Sequence, residues 1–288
     1  MITVINTRAY GHALTYIDVA WELAPTLEPP NLYRFDVEAS EAEAGPFTPV
    51  AVGLVDRYYV RDNSISRGMH HRSRWYRIKT EDVRTGDSVY TPAFTKRGTL
   101  SLEAAEMARQ FSLNVRMVHG QRFVLLPIRT FGARCGLCRT TPSGRQTTTR
   151  CAGCWGVGFA GGYHWPVETW GNLDEVERTP QLSETQRTET QHHRFRTETS
   201  PEITPLSILV DRMNRRFRII QISPTTEFGV TIHHEGTASL LPETAVEYEI
   251  PLVWPAGRDL PPGLHSLPHT LQGRAGSRTS SARPGGRR

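Results

Sequence analysis

Lysine is almost missing from this chain: Lys79 and Lys96 are the only two among 34 basic residues, and the rest are arginine. Such a ratio usually reflects genome composition, so it carries no weight as selection for bidentate guanidinium contacts. Long apolar runs are missing too, and none approaches the roughly 20 residues that a membrane-spanning helix needs. The opening "MITVINTRAYGHAL" lacks the charged start and apolar centre of a signal peptide, so a cytoplasm-like compartment is expected. No P-loop, H-E-x-x-H, G-x-S-x-G or dinucleotide fingerprint occurs, and the paired carboxylates Asp174 and Glu175 read as a solvated turn. The expectation is a protein that is not an enzyme. Cysteine is confined to one stretch, with all four residues between positions 135 and 154.

The formal net charge of +5 is local. Residues 256–288 carry six of the 34 basic residues and one of the 29 acidic ones, which leaves 28 of each sign in the other 255. The body is therefore neutral, and the basicity belongs to a Gly, Pro, Ser and Arg-rich arm that has little to bury. That arm reads as a solvated terminus, or as a segment that orders on an acidic surface or nucleic acid.

Period-two alternation dominates the first hundred residues. In "LTYIDVAWEL", Ile17, Val19 and Trp21 alternate with Asp18, Ala20 and Glu22. In "NLYRFDVEAS", Leu32, Phe35 and Val37 are apolar and Tyr33 stands out of strict phase. "FTPVAVG", "RYYVRD", "RWYRIKTE" and "SVYTPAF" follow, separated by turn formers, and short strands at such spacing predict a β-sandwich. With "MITVIN" as a first strand, residues 1–96 resemble a fibronectin type III domain. The resemblance implies that Trp21 is the core tryptophan and Tyr76 the late-strand tyrosine whose hydroxyl ties down a corner. It also implies a binding or spacer module. The connection "RDNSISRGMHHRSR" is longer and more basic than that family usually carries. Adjacent histidines on extended chain point to opposite sides, so His70-His71, His192-His193 and His233-His234 read as solvent-facing and not as metal pairs.

Residues 97–130 form a predicted connector. Ser101 suits an N-cap, and Leu102, Ala105, Ala108 or Arg109, Leu113 and Val115 suit one face of a short helix. "QRFVLLPIRTFG" then reads as a strand. In 131–168 the spacing C-x2-C-x12-C-x2-C brings Cys135, Cys138, Cys151 and Cys154 together and suits one structural Zn2+ per chain, with every position filled by protein. Arg134, Arg139, Arg145 and Arg150 offset the thiolate charge. Two disulfides or a redox dithiol pair is the competing reading, but the βαβ context of a thioredoxin motif is missing. In small peptides structural zinc contributes on the order of 10–16 kcal/mol of folding energy, so the ion substitutes for a core.

"CAGCWGVGFAGGY" is similar to a knuckle of the zinc module of J-domain cochaperones, with Gly156 and Gly158 allowing a tight turn. Two knuckles in place of four and no J-domain signature argue against that identity. From Phe123 to Glu168 the arrangement resembles zinc-containing virion proteins of tailed bacteriophages.

"LDEVERTPQLSETQRTETQHHRFRTETS" is polar and is consistent with an exposed hairpin, an interaction loop or disorder. Strands then return: Leu206, Ile208 and Val210, Phe217 and Ile219, Val230 and Ile232, and finally Val246, Tyr248 and Ile250. Residues 169–255 are expected to form a small antiparallel β-barrel, similar to those of phage head-tail connector proteins. The expected class is mainly β: sandwich, four-cysteine module, barrel and basic arm.

These resemblances imply a structural component of a tailed-phage virion, most simply a multi-copy neck or head-tail connector protein assembled in the host cytoplasm. Its expected partners are other virion proteins and further copies of itself, with no membrane and with possible nucleic-acid contact through the arm. A nucleic-acid-binding zinc ribbon is one alternative, weakened by the neutral body. An adhesion module using the sandwich is another, which native disulfides would favour.

Overall fold

The alternating segments become two facing sheets in a computed structural model that describes residues 2–11, 13–26, 28, 30–65, 73–96, 101–138, 151–182, 187–228 and 230–252. His70-His71, with residues 66–72 of the basic connection that holds them, and the C-terminal arm lie outside the described residues. Strands β1 (Val4–Tyr10), β2 (Ile17–Leu23), β3 (Tyr33–Ser40), β4 (Thr48–Leu54), β5 (Tyr59–Asp62), β6 (Trp75–Asp82), β7 (Ser88–Tyr90) and β8 (Phe94–Thr95) build them. One sheet has the order β1-β2-β5 and the other β4-β3-β6-β7, with β8 beside β6. All of these pairings are antiparallel.

Side chains of one parity face inward, and Val19, Trp21, Phe35, Val37, Tyr76 and Ile78 share a single core. Tyr33 belongs to that core. Its side chain is fully buried and in phase with Phe35 and Val37, whereas Leu32 ends the short 3-10 turn Pro30–Leu32. The Tyr76 hydroxyl donates to the Asp62 carboxylate at 2.9 Å, tying β6 to the end of β5.

Helix α1 (Leu102–Asn114) starts where the capping pattern placed it, with the Ala104 amide donating to the Ser101 hydroxyl. Its buried face agrees with the expected one at Ala105, Ala108 and Val115 and departs from it at Leu102 and Leu113. Ala104, Ala105 and Ala108 are buried while Leu102 and Leu113 are exposed, because only small residues fit where the helix lies on the strand bearing Val230 and Ile232. A single π turn, Val115–His119, follows.

The barrel closes with β9 (Gln121–Leu126), β10 (Val167–Leu182), β11 (Arg187–Glu198), β12 (Ile208–Val210), β13 (Arg216–Glu227) and β14 (Val230–Leu240), in the order β10-β11-β14-β13-β12-β9. Phe123, Leu125, Phe195, Leu209, Phe217, Ile219 and Ala238 pack inside it. The strand read within the connector is thus a barrel stave. The cysteine segment is the connection between neighbouring staves β9 and β10.

The polar stretch forms the hairpin of β10 and β11, paired from Gly171↔Thr197 to Leu182↔Arg187. Backbone pairing satisfies its amides, and Phe195, with Leu173 beside it, anchors its base in the barrel core. Two further expectations need correction. Val246–Glu249 is a 3-10 turn and not a strand, held down where the buried Arg216 guanidinium donates to the carbonyls of Glu247 and Ile250. His193 and His234 are buried and not solvent-facing: opposite orientation of neighbours on a closed barrel sends one member of each pair inward.

Candidate metal centre

Beyond β9 and β10 the two chains stay in contact and climb away from the barrel as a narrow ladder. The His164 amide donates to Pro127 O at 2.8 Å, Arg129 N to Gly162 O at 3.0 Å and Cys135 N to Gly158 O at 2.9 Å. Bridges between Ile128 and Tyr163 and between Arg134 and Phe159 continue the same antiparallel pattern. Glycine is required at the upper end. Gly158 adopts φ 88, and a Cβ on Gly162 would lie 2.5 Å from the Cys154 carbonyl oxygen.

At the tip Cys135, Cys138, Cys151 and Cys154 are all buried, and their sulfurs lie within 4.8 Å of one another. Cys135 Sγ is 3.7 Å from Cys151 Sγ and Cys138 Sγ is 3.5 Å from Cys154 Sγ, and no disulfide joins any of the four. Tetrahedral thiolate ligands about 2.3 Å from a cation stand roughly 3.8 Å apart. The donor set therefore fits a closed four-sulfur metal site, and the four cysteines that the sequence spacing grouped do come together.

Burial raises the Cys138 and Cys154 thiols above the ordinary range. For Cys151 burial also pushes upward, but the Gly153 amide and the neighbouring sulfurs outweigh it and lower the thiol. Amides of Gly153, Gly156 and Gly158 aimed at sulfur stabilise charge there, as thiolate ligands require. Arg134 lies over the Phe159 ring at 4.1 Å, while Arg139, Arg145 and Arg150 lie outside the described residues.

The neck of this hairpin meets the sandwich. Arg129 is buried, and both of its terminal nitrogens donate to the Asp56 carboxylate, Nη1 to Oδ1 at 2.8 Å, while Nε donates to Tyr163 O at 3.0 Å. Asp56 sits between β4 and β5 at φ 54. Next to it the Tyr58 ring touches Trp21 and Phe35 on one side and Phe131 and His164 on the other, at centroid distances of 5.0–6.2 Å. Burial, with Arg129 adding to it, lowers the His164 imidazole to about 3, so the ring is neutral.

A second contact lies at the end of β11. Ser200 donates to Asp18, and Arg61 and Tyr59 complete the cluster, with Arg61 Nη2 to Ser200 Oγ at 2.5 Å and Tyr59 Oη to Asp18 Oδ1 at 2.7 Å. Glu198 meanwhile accepts from Ser112 and Arg116 of the helical connector.

None of these junction residues follows from motif spacing. Arg129, a charge inside the apolar run "FVLLPIRTF", was the one visible signal.

The fold and site define a two-part β protein: a sandwich and a closed barrel joined at the neck of a cysteine-tipped barrel hairpin. No known family model matches the sequence, and no curated protein does.

Proposed function

We propose that this protein is a structural, multi-copy element of a tailed-phage virion, in the neck or head-tail connector region, and that Cys135, Cys138, Cys151 and Cys154 hold one Zn2+ per chain. The observation that carries the reading is a four-sulfur site with no position for water or substrate, placed at the tip of the hairpin whose neck joins the two β-domains. Catalytic zinc keeps a position open, whereas a closed site stabilises structure. Bound zinc would neutralise thiolates that burial otherwise disfavours and would close the end of a ladder with little apolar core. The residues of the neck then do the positioning: Arg129, Phe131 and His164 present a fixed surface to Asp56 and Tyr58. A catalytic role is not part of the proposal, and other virion proteins are the partners.

Native mass spectrometry under reducing conditions tests the metal and the assembly state in one spectrum. One zinc per chain on a ring-sized oligomer is the expected result, and a metal-free chain removes the metal assignment. The viral part is tested by the flanking genes. Portal or tail genes support it, and metabolic neighbours count against it.

A further inference from the structure

The cysteine hairpin forms one wall of a recess whose other wall is the sandwich. Pro25 and Thr26, just after β2, face Thr130, Phe131, Gly132, Arg134 and Phe159 across a volume of about 260 Å³. This is below the roughly 300–1,000 Å³ of sites for drug-sized ligands and suits a single inserted side chain. Two phenyl rings supply the apolar wall, and the exposed Arg134 supplies a positive rim. Among the described residues no carboxylate pairs with that guanidinium, which rests on the Phe159 ring.

A matching projection occurs elsewhere on the same chain. At the turn between β13 and β14, Phe228 is 72% exposed, and its φ of 50 is one that a bulky side chain rarely adopts. The exposed Glu227 precedes it. The barrel order places these two features apart: in the ring of six staves, the β13–β14 seam lies directly opposite the β9–β10 seam that carries the hairpin. A chain cannot readily fill its own recess with a knob on the far wall, but a neighbour can.

We infer that a second copy of this chain docks head to tail, with Phe228 of one copy between the Phe131 and Phe159 rings of the next and Glu227 paired with Arg134. The contact is heterologous, so repeated copies close into a ring or continue as a filament. An aromatic anchor in an apolar recess, edged by one charge pair, has the composition expected at the centre of an interface. The inference rests on the multi-copy reading above and names the surfaces it would use.

Sedimentation velocity on the full zinc-loaded chain over a concentration series tests it, with Phe228→Ala, Glu227→Arg, Arg134→Glu and the combined Glu227→Arg/Arg134→Glu variant. Each single substitution should weaken self-association about 10–100-fold. The combined variant, with the charges exchanged, should recover most of the loss. Phe228→Ala and Glu227→Arg change an exposed turn and leave the cysteine hairpin untouched, so they remain informative if Arg134→Glu disturbs metal content. Wild-type assembly that survives both turn variants unchanged overturns the docking geometry and leaves the multi-copy reading standing. A wild-type chain that stays monomeric throughout overturns self-docking as well, while the flanking-gene test of the viral reading is unaffected.

Discussion

Removing the Asp56 carboxylate should separate the sandwich from the hairpin neck. Arg129 is 3% exposed and has three of its N–H groups committed, two of them to Asp56 and one to Tyr163 O. Loss of one partner from a buried ion pair leaves the other charge uncompensated, which typically costs roughly 3–5 kcal/mol. Asp56→Ala adds a second penalty of about 1–2 kcal/mol, because Asp56 has φ 54 and alanine disfavours the left-handed region. Asp56→Asn separates the two terms, since asparagine tolerates that backbone while losing the charge and one of the two oxygens that accept from Arg129.

For a chain of this size, 1 kcal/mol corresponds to about 2–4 °C in Tm, so the pair term alone predicts a fall of roughly 6–20 °C by scanning calorimetry. Arg129→Met should cost a similar amount, leaving Asp56 with the Tyr58 hydroxyl. The double variant Asp56→Asn/Arg129→Met should lose less than the sum of the singles by about 0.5–3 kcal/mol. If both singles fall within 1 kcal/mol of wild type, or if the double is additive, the pair does not join the domains and the reasoning fails.

Cys151→Ser should abolish metal binding, measured by elemental analysis, and raise hydrogen exchange across 132–138 and 151–163 while the sandwich amides stay protected; unchanged zinc content and unchanged exchange would sink the metal site. His164 carries a pH dependence whose sign follows from its lowered imidazole: the unfolded chain binds a proton below about 6.5 and the folded one does not until about 3. Its contribution is therefore complete above 6.5 and declines as pH falls, by about 2 kcal/mol between pH 7 and 5. In urea titrations His164→Phe should lose that part of the acid sensitivity, and a variant whose pH profile overlays wild type would count against it. Arg216→Met should release the Val246–Glu249 turn, lowering protection at the Tyr248 and Ile250 amides by roughly 1–3 kcal/mol while Phe217 and Ile219 stay protected. Equal loss throughout the barrel would show instead that Arg216 supports the whole fold.

The mainly β class, the sandwich over the first hundred residues, the capped helix and the barrel strands were legible because each depends on local signals: period-two alternation, turn residues and an N-cap serine. The cysteine cluster was legible for a similar reason, since two C-x-x-C turns fix their own sulfurs and need only be brought together. Misreadings arose where burial decides what periodicity leaves open. Leu102 and Leu113 stayed outside the inner face of α1, Tyr33 entered the core, and "AVEYEIPL" turned back under Arg216.

By itself the sequence determined most of the elements, the grouping of the four cysteines and the neutral body with its basic arm. Only tertiary structure decided that β9 closes the barrel, that the cysteine unit is a connection between two adjacent staves, and that Asp56 and Arg129, 73 residues apart, form the buried pair between domains. The physical reason is range. Hydrogen-bond period and ligand spacing are written within a few residues, whereas strand order and a buried ion pair depend on which distant surfaces exclude water together.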